Sequence, residues 1–189
     1  MARTLFARSV LMVAALGVVV AASVAAGTRE SVREILRARH PIAMTAEDWR
    51  KLGDDVDRHL VEAAGDAGLR YAARERAMTA LAAVGGPKAK EFLRATIERS
   101  KVAPEILSMA VYSYARGFAK SDPADVRIVS VPLLDHTDWG VRQGAVRALG
   151  ELGTKEADEA LRLQQTRETH PAVQRALRKA LRQPETDRR

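Results

Sequence analysis

The chain of 189 residues has no cysteine and no asparagine, and only eight of its residues are aromatic: two Trp, three Tyr and three Phe. Without cysteine there is no disulfide, no thiolate nucleophile, no cysteine zinc site and no lipid-modified N-terminus of the lipoprotein kind. With 4% aromatics and 47% apolar residues, the core must be built from Ala, Leu and Val. That suits helices packed closely through small side chains better than a sandwich or barrel. Four histidines fall in four separate segments, so neither a histidine metal set nor a nucleophile-histidine pair is indicated. No serine sits in a nucleophile elbow, and Gly85-Gly86-Pro87-Lys88 lacks the length and the ending of a phosphate loop. No catalytic residue, cofactor-binding residue or metal ligand is assigned, and the chain is expected not to be an enzyme.

The N-terminus carries one long apolar run. Arg3 and Arg8 precede Val10 to Ala22, and Ser23-Val-Ala-Ala-Gly27 follows with small residues at the positions a signal peptidase reads. Residues 1–26 are therefore expected to be a signal peptide, or else an uncleaved anchor at the lower length limit for crossing a bilayer. Both place the rest of the chain in a bacterial envelope: periplasmic or secreted after cleavage, or inner-membrane anchored and facing the periplasm. The net charge is +7, and much of it lies in residues 170–189. An exported chain without a groove-reading motif is not expected to bind nucleic acid.

Internal repetition is the main organising signal. The segments RERAMTALAAVG at 74–85 and RQGAVRALGELG at 142–153 say nearly the same thing 68 residues apart. Ala77, Ala110, Ala145 and Leu177 occupy equivalent positions at spacings of 33, 35 and 32, a period that fits a helix hairpin and not a heptad. The first pair is expected at 69–84 and 88–99, the second at 104–118 and 124–134 with Pro132 bending its end, and the third at 138–152 and 155–166. One last helix is expected at 171–182. Ahead of them, residues 28–65 are read as N-terminal capping helices. There Thr45-Ala-Glu-Asp48 has the form of a capping box opening a helix with Trp49, Leu52, Val56 and Leu60 inward. Residues 184–189 are expected to be a disordered tail.

LLDHTDWGVRQGAVRALG over residues 133–150 resembles the HEAT-like repeat family: a short acidic turn, Val-Arg, then spaced Ala and Ala-Leu-Gly. The resemblance covers residues 66–183 and is weakest in the second unit, where Tyr112 and Tyr114 interrupt the small-Leu pattern. It implies an all-α, short right-handed α-solenoid of antiparallel helix pairs, with first helices on the convex side and second helices on the concave one. It also implies inter-repeat contacts of the acidic turn with the arginine that follows. Such a scaffold binds, so the function expected is a non-enzymatic protein interaction module holding a protein partner in the envelope. Two alternatives remain: a surface binder using the basic last helix on anionic lipid or acidic polymer, and an accessory subunit of an enzyme.

Candidate contact residues are those the repeat leaves unexplained. Tyr112 and Arg116 lie on the side of their helix opposite Tyr114 and Phe118. Trp139 opens a helix, where it folds over its own hairpin or protrudes. Arg175, Arg178, Lys179 and Arg182 form the polar side of the last helix, as a soluble end cap or as a gripping face. Asp55, His59 and Glu62 share a helix face at spacings that suit a divalent metal, but their charged neighbours favour local ion pairing.

Overall fold

The computed structural model describes residues 28–39 and 43–182. The expected export segment at 1–26 and tail at 184–189 lie outside the described residues. The described residues contain no strand, and none of their helices is long and apolar enough to cross a membrane. The helices are α1 at 28–37, α2 at Ala46–Arg50, α3 at Val56–Gly65, α4 at Tyr71–Val84 and α5 at Pro87–Glu98. There follow α6 at Pro104–Phe118, α7 at Pro123–Ser130 with a 3-10 turn at Val131–Asp135, α8 at Trp139–Leu152, α9 at Lys155–Arg167 and α10 at Pro171–Arg182.

Caps set these boundaries. Asp122, Asp138 and Thr154 each accept from a backbone N–H in the first turn of α7, α8 and α9. Proline opens α5, α6, α7 and α10, where its missing N–H costs nothing. Pro132 converts the end of α7 into the tighter turn, as the sequence required.

One expected helix is two. Thr45 and Asp48 do form the reciprocal capping box, but the chain leaves the helix after Arg50 and restarts at Val56. Gly53 makes the break, with a φ of +152° that side chains rarely adopt. A Cβ there would come within 2.9 Å of the Thr28 hydroxyl, which donates to the Leu52 carbonyl at 3.1 Å. The turn therefore docks α1 onto the α2–α3 corner. The next helix begins at Tyr71, two residues later than its apolar pattern suggested.

α4, α6, α8 and α10 lie side by side as one continuous row, while α5, α7 and α9 form an outer row of helices with little mutual contact. Each outer helix packs against the inner helices on both sides of it. The closely packed row, carrying the duplicated Ala-Leu motif, is termed the inner row and the separated one the outer row. Ala and Gly at the contacts of the inner row let its helices approach closely. At Gly144 on α8 an added Cβ would stand 2.7 Å from the Ser108 carbonyl oxygen of α6, and the Ser108 hydroxyl donates to the Gly140 carbonyl at 2.7 Å. Val111, Tyr114, Val141, Leu149, Leu161 and Leu177 fill one continuous core through these rows.

Candidate functional site

Two polar ties fix the C-terminal helices on which the site is built. In the first, the buried Tyr114 hydroxyl donates to Asp125, which also pairs with Arg94, joining α5, α6 and α7. Burial raises the Tyr114 pKa, so the phenol stays a donor. In the second, Arg142 on α8 grips Glu168 with two contacts of 2.8 and 3.0 Å. Arg142 also donates to the His136 and Thr137 carbonyls, both at 2.9 Å. Glu168 further accepts from Gln164 and from the His170 backbone. The Arg142 guanidinium and these donors hold its carboxyl down at about 2 despite its burial.

That network divides the roles the resemblance implied. The arginine makes the inter-repeat contact, while Asp138 stays local, accepting from the Gly140 and Val141 N–H groups at 2.8 and 3.1 Å. Glu168 was not singled out from the sequence. The signal was its place 32 residues after His136: Gln174 donates to the Glu168 carbonyl as Arg142 does to the His136 carbonyl.

On the inner side, the helices so fixed enclose a cleft of about 470 Å³. α6 contributes Tyr112; α8 contributes Gln143, Arg147, Gly150 and Glu151; α10 contributes Arg175 and Lys179 above a floor of Ala172, Ala176 and Ala180. The Tyr112 ring has the Arg116 and Arg147 guanidinium carbons each 5.9 Å from its centre, and its hydroxyl lies 3.4 Å from Glu151 Oε1. Each cation over the ring adds about 0.5–1 kcal/mol at such exposed sites. Gln143 donates to the Ala172 carbonyl at 3.2 Å, tying α8 to the first turn of α10. Three cations thus face one carboxylate, and among the described residues Arg147, Arg175 and Lys179 form no salt bridge.

The cleft brings together Tyr112, Arg175 and Lys179, with Arg116 against the Tyr112 ring. Trp139 stands apart: it is 45% exposed and lies flat on His170, ring centres 4.4 Å apart, at the edge where α8 and α10 begin. Arg178 and Arg182 are exposed and do not line the cleft. Sequence reasoning missed Gln143, Arg147 and Glu151. Their spacing on α8 marks a polar stripe opposite Val141, Ala145 and Leu149, which became meaningful only once α10 stood beside it.

A second cleft of about 540 Å³ lies on the same side between α1, α2 and α4, with an apolar wall of Ile35, Leu36, Met44 and Trp49. Arg116 reaches its rim, so that residue stands between the two. Arg76 closes the end of α1 by donating to the Leu36 and Ala38 carbonyls at 2.8 and 2.6 Å.

Asp55, His59 and Glu62 do meet. His59 is 4% exposed, with Nε2 3.4 Å from Asp55 and Nδ1 3.5 Å from Glu62. The carboxylates are engaged elsewhere, Asp55 by Arg58 and Glu62 by Arg29. Among the described residues no group of three or more such side chains is arranged to hold a metal ion.

Residues 112–182 match the family model described as HEAT repeats. Among solved structures, the chain is similar to the complex of CpcE and CpcF of phycocyanin lyase from Nostoc sp. PCC7120. The identity is 17% and the TM-score 0.57, over 71% of this chain and 85% of that chain. No curated protein matches. The described residues therefore have an all-α fold of the HEAT-repeat kind, with the family match confined to residues 112–182. The likeness also corrects the expectation that the chain is not an enzyme. That expectation rested on a missing catalytic constellation, yet the same fold occurs in a phycocyanin lyase complex, so the missing motif does not remove the chain from enzymes and their subunits.

Proposed function

We propose that this chain is a protein interaction module of the bacterial envelope that seats its partner on the inner row of helices, at the cleft between α6, α8 and α10. One observation carries the reading: Tyr112, Arg147, Arg175 and Lys179, from three successive inner helices, converge on one concavity, and among the described residues the three cations form no salt bridge. Aromatic and arginine side chains together are the composition of contact hot spots. The neighbour's being a two-protein complex supports a protein partner. Arg175 and Lys179 stand in the cleft wall, which favours a seated partner over a lipid surface lying across α10. Trp139 completes the contact at its edge, while Arg178 and Arg182 stand outside the cleft.

The envelope location rests on residues 1–26. N-terminal sequencing of the protein recovered from fractionated cells tests it, and an unprocessed chain in the cytosol overturns it. For the partner, affinity capture from the envelope fraction is to be run with the unaltered chain and with Arg147→Glu/Arg175→Glu. A partner held by the first and lost by the second supports the reading; equal recovery, or none, overturns it. The similarity to the CpcE and CpcF complex favours a second reading, in which the partner is an enzyme component and this chain its accessory subunit.

A further inference from the structure

We propose that the cleft takes an extended acidic segment of the partner, with carboxylates at alternate positions. The inference rests on the interaction reading above and names the chemistry of what is bound. Arg175 and Lys179 are four residues apart on α10, so their attachment points are separated by about 6 Å along the helix axis. An extended chain repeats side chains on one face every ~6.6 Å. Two cations one turn apart therefore match two acidic residues separated by a single residue of either kind.

The rest of the cleft has the shape for it. Gly150, Ala172, Ala176 and Ala180 make a floor of small residues along which a backbone can lie close. Arg147 faces the α10 pair from the opposite wall, within a cleft that carries one carboxylate, Glu151. Glu151 is placed beside Tyr112 and repels a further acid there, giving the segment a direction. Arginine suits the task, since its planar guanidinium pairs with a carboxylate through two parallel bonds. A membrane surface would instead engage the cations of α10 regardless of the cleft, Arg178 and Arg182 included.

The test uses fluorescence anisotropy with three labelled peptides of one length: alternating Glu and Ser, the same residues with Glu in one block, and alternating Gln and Ser. The alternating acidic peptide is expected to bind most tightly and the Gln peptide not at all. Arg175→Gln/Lys179→Gln is expected to weaken it about tenfold or more, the size of one lost charge-assisted contact. Arg178→Gln/Arg182→Gln, with the same loss of charge, leaves the affinity within about twofold because charges outside the cleft act only at a distance. Equal binding of the alternating and blocked peptides overturns the inference, as does equal weakening by the two double variants. So does competition by phosphatidylglycerol vesicles that depends on Arg178 and Arg182. If every peptide fails while capture of a partner remains sensitive to Arg147→Glu/Arg175→Glu, this inference alone falls. If both fail, the interaction reading falls with it.

Discussion

Glu168 is the residue on which the C-terminal end depends. Its carboxylate is buried and joins four donors from α8, α9 and the connection to α10. Removing its charge leaves the half-buried Arg142 without its ion-pair partner, which costs on the order of 3 kcal/mol. Glu168→Gln is therefore expected to lower the melting temperature by about 6–12 °C in a chain of this size. Acid titration gives a separate signature. The folded carboxyl sits at about 2 against an ordinary 4.5, so its stabilisation is complete above pH 4.5 and is lost as the pH falls through 2. Urea midpoints measured across that window are expected to fall less steeply in Glu168→Gln than in the unaltered chain.

At the scale of elements, the inner row exists because small residues let helices approach, and the sequence exposed this only in part. The duplicated Ala-Leu motif was legible because it repeats. The partner across each contact was not, since Ser108 has no periodic signature. Gly144→Ala places a methyl against the Ser108 backbone and is expected to cost about 1–3 kcal/mol as overpacking, read from the urea midpoint. Asp138→Ala removes the acceptor for two first-turn N–H groups of α8 and is expected to cost about 1 kcal/mol. Helix limits followed from proline and capping chemistry, so α6 and α10 begin and end where the pattern placed them. The α2–α3 break did not follow, because the apolar spacing continues through it and Gly53 acts through contact with Thr28, a residue of another helix.

For the whole molecule, the order of helices was legible and the neighbours across each contact were not. Periodicity shows which residues are inward on each helix but not which neighbour the helix joins. The cleft suffered the same limit: Tyr112, Arg175 and Lys179 stand out on their own helices, whereas Arg147 gains its meaning from α10 across the gap. α10 covers α8 with Val173, Leu177 and Ala180, as a terminal repeat must. A chain ended at residue 169 is expected to lose cooperative melting by circular dichroism and to associate in size-exclusion chromatography, with the apolar side of α8 uncovered.

Trp139 resting on His170 bridges the starts of α8 and α10, while the only other tryptophan, Trp49, is buried near the opposite end in α2. Each end of the array thus carries its own optical reporter. Repeat stacks held by nearest-neighbour contacts come apart in stages, and with Trp49→Phe the remaining emission reports α10 leaving α8. Comparing its transition with helix loss would time the departure of the last helix, and with it the opening of the wall that carries Arg175 and Lys179.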